Sequence, residues 1–314
     1  MRNWKYLIAA AAISLAAFLL YRTLSRYSLE QLVAAVSAIP VPRLLAAVGF
    51  AAASYLSLTF FDYLALRYVN RPLPYPKAAL ASFTALSLGH NIGLAALSSG
   101  AVRYRFYSRW GLGAGDVAKV IVFCGVTVGL GMLTLGGTAL LLRSSLAMEI
   151  TGLTEPTIVA LGLGCLAAPA IYLALSLFVR RPLRIRRWSL EIPAFRLAIG
   201  QVLIGSINFA FVAACLHQAL AAVADVPYLG VASVYVIANA TALVSHVPGG
   251  LGVIESVVMY LLPQSDLIGP LLVFRFVYFL MPLGVGGILL AVTEQVYRRR
   301  ETPYGRDPRF AAKA

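Results

Sequence analysis

The longest of the apolar segments in this 314-residue chain covers residues 228–262 and reads YLGVASVYVIANATALVSHVPGGLGVIESVVMYLL. Within it, residues 245–252 read Ser-His-Val-Pro-Gly-Gly-Leu-Gly. Pro248 has no N–H to donate to a helix, and the three glycines relax the backbone. The segment is therefore expected to break there, which would expose unpaired backbone groups at membrane depth.

A similar break divides an earlier segment. Residues 78–102 contain no Asp, Glu, Lys or Arg, and this length exceeds the roughly 20 residues that cross a bilayer. Within them, residues 87–93 read Ser-Leu-Gly-His-Asn-Ile-Gly and begin 158 positions before the second break, at 87 against 245. Basic residues flank the segment at both ends, which favours a cytoplasmic position for both flanks. We favour a re-entrant hairpin over the alternative, one straight helix through 78–102.

The composition excludes a soluble globular protein. Hydrophobic residues make up 60% of the chain and charged residues 12%, against about 45–50% and about 25% in average globular proteins. Charges and Pro/Gly clusters separate eight apolar segments, at 4–24, 42–66, 78–98, 117–142, 157–179, 197–223, 228–262 and 267–297. The sequence predicts an all-α polytopic membrane protein with about eight transmembrane segments, two of them broken or re-entrant.

The net charge of +14 is interpreted as a signal of membrane topology, because basic residues collect in cytoplasmic loops. Arginines at 180–187 and 298–300 predict cytoplasmic loops, and the linkers at 143–156, 224–227 and 263–266 are expected outside. The halves 1–145 and 146–300 of a single membrane domain then form an inverted-topology repeat. Both termini, including the tail 301–314, are expected in the cytoplasm. Segment 4–24 lacks a small-residue cleavage site and is expected to be a retained span.

Paired breaks in inverted halves are typical of a transporter's binding site near the membrane midplane. The expected hairpin breaks contain Gly89 and Gly93 in the first half, and Pro248, Gly249, Gly250 and Gly252 in the second. His90, Asn91 and His246 lie inside the breaks. These polar side chains could satisfy freed backbone groups or contact a substrate, and both interpretations stay open.

Charges inside the segments need a reason, since each costs about 2.5–3.5 kcal/mol at mid-helix on an insertion scale. An ion pair between Glu255 and Arg275 would cancel two such costs. Arg275 could hold a lipid phosphate while Glu255 holds a cation or proton, or the pair could be a structural staple. Asp62 could pair with Arg67 or face the cavity, and we favour the cavity.

Residues 103–110 read Arg-Tyr-Arg-Phe-Tyr-Ser-Arg-Trp and alternate guanidinium groups with rings. Such a stretch is typical of an interfacial anchor, and it could also load an anionic phospholipid through Arg103 and Arg105. The sequence shows no enzyme motif, and we expect no catalytic, metal or cofactor site. Three cysteines without metal-ligand spacing are interpreted as small apolar residues.

Four motif blocks resemble the lysylphosphatidylglycerol synthase transmembrane family, at residues 87–93, 98–105, 107–111 and 247–255. That family includes YbhN-like proteins and the N-terminal flippase region of the multiple peptide resistance factor. The resemblance implies an eight-segment bacterial inner-membrane fold whose better-known members translocate aminoacylated phosphatidylglycerol between leaflets. In those members the synthase activity resides in a separate soluble domain, which is not found in this sequence.

We therefore expect an inner-membrane translocase for an anionic or aminoacylated phospholipid, such as a phosphatidylglycerol derivative. The alternative is a membrane enzyme, or an enzyme subunit, of phosphatidylglycerol aminoacylation. The expected partner is membrane phospholipid and not nucleic acid. A second copy of the chain and a separate lipid-modifying enzyme both stay open as protein partners.

Overall fold

The computed structural model describes residues 29–92, 95–179, 183–185, 188–245, 247–262 and 267–301. Within these ranges six helices are long and apolar enough to cross a membrane: Val41–Tyr68, Ala114–Leu142, Glu155–Phe178, Phe195–Leu220, Tyr228–Ser245 and Ile268–Tyr297. The protein is thus a multi-pass membrane protein built from helices. The first predicted segment, 4–24, lies outside the described residues.

The helices follow in chain order as α1 (Leu29–Ala38), α2 (Val41–Tyr68), α3 (Tyr75–Ile92), α4 (Ala95–Arg109), α5 (Ala114–Leu142), α6 (Ser144–Thr151), α7 (Glu155–Phe178), α8 (Phe195–Leu220), α9 (Tyr228–Ser245), α10 (Val253–Leu261), α11 (Ile268–Arg275) and α12 (Met281–Glu301). A 3₁₀ turn covers Pro248–Gly250, and a π-helical turn covers Phe276–Leu280. The arginine-rich linker adds a short antiparallel ribbon of β1 (Leu183–Ile185) and β2 (Trp188–Leu190) to the predicted all-α class.

The chain reverses direction between α3 and α4. A Cβ atom on Gly89 would lie 2.7 Å from the Cβ of Ser99, so the two helices lie side by side. Along one straight helix these residues would be about 15 Å apart. A single helix through 78–102 is therefore not the conformation of this segment, and only glycine fits at position 89.

The second apolar segment with a break also contains two helices. Between α9 and α10, Gly249, Gly250 and Gly252 have φ angles of 62°, 58° and 82°. This left-handed region is open to glycine and strained for other residues. α10 packs against α9 after the turn. The Pro-Gly-Gly break expected from the sequence is therefore present, and its glycines are required by the backbone.

The core is centred on α2 and α8, which pack along their length, with α3 and α5 beside them. Where α5 crosses α8, a Cβ on Gly131 would collide with the backbone carbonyl of Gly205. Small residues are typical of such crossings, because helices in lipid associate through close backbone packing. These two glycines therefore set the distance between α5 and α8.

We expect Gly131→Ala to destabilise the protein by about 1–3 kcal/mol, since overpacking forces the helices apart. The matched control is Gly125→Ala on the same helix, where an added Cβ meets nothing within 4 Å. The measurement is the free energy of unfolding by SDS titration in mixed micelles. Equal stability of the two variants would contradict the close crossing.

Candidate functional site

The two breaks meet inside the helix bundle. A Cβ on Gly249 would lie 3.6 Å from the carbonyl oxygen of His90 and 3.8 Å from the Cα of Asn91. The 3₁₀ turn therefore rests on the C-terminal end of α3. We call this contact region, residues 89–92 and 248–252, the break junction.

The guanidinium of Arg275 holds the second break in place. Its Nη1 donates to the carbonyl oxygen of Gly249 at 2.8 Å and its Nη2 to that of Gly250 at 3.3 Å. Its Nε donates to the Glu255 carboxylate at 2.5 Å, and only 3% of Arg275 is exposed. The expected ion pair between Glu255 and Arg275 is thus present. Arg275 also donates hydrogen bonds to the carbonyls of Gly249 and Gly250, which the broken helix leaves without intrahelical partners.

Glu255 connects this ion pair to the start of α10. Its Oε2 accepts a hydrogen bond from the backbone N–H of Gly252 at 2.9 Å, which forms one arm of a capping box. On the other side of the pair, the Arg275 guanidinium lies 4.9 Å from the centre of the Phe279 ring. Both carboxylate oxygens of Glu255 therefore have donors, and Arg275 is fixed from three directions.

His90 has a buried ring nitrogen at the junction that lacks a hydrogen-bond partner among the described residues. Its ring stacks on Tyr278 with centroids 6.5 Å apart and meets the edge of Tyr55 at 6.2 Å. The Nδ1 atom is buried and has no hydrogen-bond partner among the described residues. A buried polar atom without a partner costs free energy, so this nitrogen is available to a ligand.

Asn91 links the first break to the π-helical turn. Its Nδ2 donates to the carbonyl oxygens of Ser87 at 2.9 Å and Phe279 at 3.3 Å. At the end of the turn, the N–H of Met281 donates to Phe276, which lengthens the hydrogen-bonded ring by one residue. The carbonyl of Phe279 is thus bonded by a neighbouring helix. Such π-turns are frequent at functional sites.

A polar triad lies beside the junction and was missed by the sequence analysis. The Ser54 hydroxyl donates to the Oδ1 of Asn208 at 2.7 Å and lies 3.1 Å from the Tyr278 hydroxyl. Ser54 stands at the middle of α2 and Asn208 at the middle of α8. No charge or Pro/Gly break marks these residues in the sequence, so only the packing of the helices reveals them.

Asp62 forms a second buried ion pair, and both expectations for it were wrong. It neither pairs with Arg67 nor faces a cavity, since it is 0% exposed and its oxygens accept from Arg103 Nε at 2.9 Å and Nη2 at 2.8 Å. The Tyr107 hydroxyl also donates to it at 2.6 Å. The Cys124 thiol donates at 3.3 Å, so Cys124 is a polar partner and not only a small apolar residue.

A third arginine–carboxylate cluster joins α4 to the end of α12. Arg105 donates to both oxygens of Glu294 at 2.6 and 2.7 Å, and Arg109 does so at 2.8 and 2.9 Å. The Trp110 indole N–H donates to the Tyr297 hydroxyl at 2.9 Å. Two guanidinium groups thus share the Glu294 carboxylate. Glu294 was not predicted as a site residue, although it lies inside the apolar segment 267–297.

The structure thus divides the predicted site residues into two groups. At the break junction it brings together Gly89, His90, Asn91, Pro248, Gly249, Gly250, Gly252, Glu255 and Arg275. Arg103 and Arg105 instead pair with Asp62 and Glu294, and Arg103 reaches the edge of the junction through Ser99, which lies against Gly89. His246 and Gly93 lie outside the described residues. Among the residues described, no three His, Cys, Asp or Glu side chains are grouped to hold a metal ion.

Comparisons with known proteins identify one family model and two relatives of this chain. The family model described as the lysylphosphatidylglycerol synthase TM region matches residues 7–286. An uncharacterized protein of Synechocystis sp., slr0712, is 29% identical over 312 residues, which cover 96% of this chain and 97% of that protein. Inner membrane protein YbhN of Escherichia coli is 30% identical over 250 residues, 76% of each chain.

We expect Asp62→Asn to destabilise the protein by about 3–5 kcal/mol, because it leaves the Arg103 charge buried without its counter-charge. The double variant Asp62→Asn/Arg103→Met removes both charges and should recover most of this loss. The matched control is Asp116→Asn. Asp116 lies 3.7 Å from Arg71 in an exposed pair, so its loss should cost less than about 1 kcal/mol.

The free energy of unfolding of all variants is measured by SDS titration. A double variant no more stable than Asp62→Asn would show that the two charges do not act as a pair.

Proposed function

The chain belongs to the lysylphosphatidylglycerol synthase transmembrane family, and from this premise we propose that it translocates an anionic or aminoacylated phospholipid across a bacterial inner membrane. The observation that carries this proposal is the break junction. There an arginine from a candidate membrane-spanning helix donates to two backbone carbonyls, beside a histidine whose Nδ1 has no hydrogen-bond partner among the described residues. In this proposal the headgroup crosses through the junction while its acyl chains stay in the lipid.

The depth of the junction supports a role in headgroup passage. Ser54 and Asn208 stand at the middle of their helices and lie against Tyr278. Arg275 precedes Tyr278 by three residues, or about 5 Å along a helix. Arg275 would take the phosphate through its Nη atoms, since a guanidinium binds phosphate bidentately. The open Nδ1 of His90 would accept or donate one hydrogen bond to a headgroup oxygen.

The order of helices supports an inverted repeat. α8 begins 154 positions after α2 (195 against 41), and α9 begins 153 after α3 (228 against 75). α10 begins 158 positions after α4 (253 against 95), and α11 begins 154 after α5 (268 against 114). The matched elements of each half are then one long helix, a re-entrant hairpin and a second long helix, and α7 precedes them in the second half. In this arrangement the two hairpin tips enter from opposite sides and form the junction.

Contacts at the helix ends support the proposed sidedness, with both termini in the cytoplasm. The Tyr68 hydroxyl donates to the carbonyl of Glu191. Both residues lie on the side that the proposal assigns to the cytoplasm. Trp110 and Tyr297 also meet on that side. On the proposed outer side, a Cβ on Gly269 would lie 3.7 Å from that of Ala35 in α1.

The arginine cluster on α4 would be the inner headgroup contact. Arg103 is 2% exposed and is bonded to Asp62, so in this proposal it positions α4. The headgroup contact that was predicted for Arg103 and Arg105 would therefore be made by Arg105 and Arg109. Their side chains are 13% and 23% exposed, and they share a single carboxylate. In this proposal a phosphate approaches the two partly exposed guanidinium groups from the membrane surface.

We expect Arg275→Lys to slow phospholipid translocation in proteoliposomes at least about tenfold. It keeps the positive charge but loses bidentate binding, and a hydrogen bond to a charged group contributes about 1.5–3 kcal/mol. The measurement is the rate at which labelled phosphatidylglycerol and lysyl-phosphatidylglycerol reach the opposite leaflet. Arg196→Lys, at an exposed position of α8, is the matched control and should behave as wild type.

Two results would reject the proposed function. One is a wild-type protein that translocates neither lipid. The other is an Arg275→Lys protein that is less stable in detergent but translocates at the wild-type rate, which is the behaviour of a structural scaffold.

The proposed sidedness is tested with single cysteines in a chain whose three native cysteines are replaced. Ser108 is exposed at the end of α4, and Ser145 is exposed on α6. In intact cells we expect an impermeant maleimide to label Ser145→Cys but not Ser108→Cys, and permeabilised cells to label both. Labelling of Ser108→Cys from outside would place the α3–α4 hairpin on the opposite side and overturn the topology.

A further inference from the structure

We propose that the break junction binds a monovalent cation together with an anionic headgroup, in the place that the Arg275 guanidinium occupies in the structure. This inference rests on the proposed function and adds the ion that accompanies the lipid. It is carried by three oxygen groups that converge on one guanidinium: the carbonyls of Gly249 and Gly250 and the carboxylate of Glu255.

The first argument is the charge balance of the junction. Arg275 and Glu255 are the charged groups that the described contacts place there, and together they are neutral. A phosphodiester adds one negative charge and would draw the guanidinium towards itself. Glu255 would then be a partly buried carboxylate without a counter-charge, which is strongly destabilising. One additional positive charge restores neutrality.

The second argument is the set of ligands that Arg275 would leave behind. Hydrogen bonds at 2.8 and 3.3 Å already show that both glycine carbonyls point at one cationic group. The positive φ angles of Gly249 and Gly250 turn these carbonyls out of the helical direction. Unwound backbone carbonyls and carboxylates are the oxygen ligands that hard cations prefer, and transporters use them for coupling ions.

The charge of the ion follows from the same balance. With Arg275 at +1 and Glu255 and the phosphate at −1 each, a monovalent ion makes the loaded junction neutral, whereas a divalent ion leaves an excess of +1. A proton on Glu255 also balances the charge. However, the carboxylic acid donates only one hydrogen bond and cannot serve both glycine carbonyls. A sodium ion contacts all three oxygen groups at once.

The required positive charge has two sources, and they predict different substrates. An anionic lipid such as phosphatidylglycerol brings none, so it needs a free ion. A zwitterionic lipid such as phosphatidylethanolamine carries its own ammonium group, which can bind carbonyl and carboxylate oxygens in the same place. Dependence on sodium should therefore follow the headgroup and not the protein alone.

The test compares translocation of phosphatidylglycerol and phosphatidylethanolamine in proteoliposomes containing Na⁺, K⁺ or N-methylglucamine at one ionic strength and at two pH values. For phosphatidylglycerol we expect a fall of at least about tenfold when N-methylglucamine replaces Na⁺, within the usual range of coupling between two ligands. For phosphatidylethanolamine we expect no dependence. Equal phosphatidylglycerol rates in all three media overturn the cation site but leave the proposed function intact.

Two further results also overturn the inference. One is a phosphatidylglycerol rate that follows pH but not the alkali ion, which assigns the charge to a proton. The other is a wild-type protein that does not translocate phosphatidylglycerol in any medium, and this result rejects the proposed function as well when lysyl-phosphatidylglycerol also fails to cross.

Direct binding isolates the role of Glu255. With detergent-solubilised protein and phosphatidylglycerol present, we expect saturable binding of radioactive sodium to wild type and a loss of at least about tenfold in affinity in Glu255→Gln. The matched control is Glu149→Gln, since Glu149 is exposed on α6 away from the junction. The proposed cation site would be wrong if the Glu255→Gln protein elutes as a folded monodisperse species and still binds sodium with the affinity of wild type.

Discussion

In hydrocarbon, every backbone N–H and C=O group freed by a broken helix must find a partner inside the protein. The junction of this protein is organised by that constraint. Pro248 and the following glycines interrupt the helical backbone after α9, and Arg275 supplies hydrogen bonds to the carbonyls of Gly249 and Gly250. Asn91 does the same for the π-turn. The long final span therefore carries the side chain that makes a break in another segment tolerable.

The same constraint explains the distribution of buried charge. Three arginine–carboxylate groups lie along the protein: Arg275 with Glu255, Arg103 with Asp62, and Arg105 and Arg109 with Glu294. The first two are neutral and largely buried, whereas the third is more exposed. Buried pairs specify which helices meet, because either partner alone is costly. The arginines of these three groups thus join helices that are far apart in the sequence.

The candidate site shows how far the residues themselves could guide interpretation. The break at 245–252 was recognised because proline and glycine are conspicuous inside an apolar run, whereas residues 87–92, expected to form the first break, are the helical end of α3. The pairing of Glu255 with Arg275 followed from the cost of isolated charges. Asp62 was misassigned because Arg67, its nearest basic neighbour in sequence, is one helical turn away, while Arg103 reaches it only through the reversal between α3 and α4. Ser54 and Asn208 carried no signal of their own.

The sequence by itself determined the membrane class, the position of the Pro-Gly-Gly break and most span boundaries, because hydropathy, charge and backbone chemistry are local properties. Only the tertiary structure decided which partners meet. Gly249 against His90, Ser54 against Asn208 and Arg105 against Glu294 join residues far apart in the chain. Their contact depends on how helices cross, and close crossings such as Gly131 on Gly205 fix that geometry. The way two helices cross depends on the shapes of both packing surfaces, and the linear pattern of residues in the sequence does not show which surfaces meet.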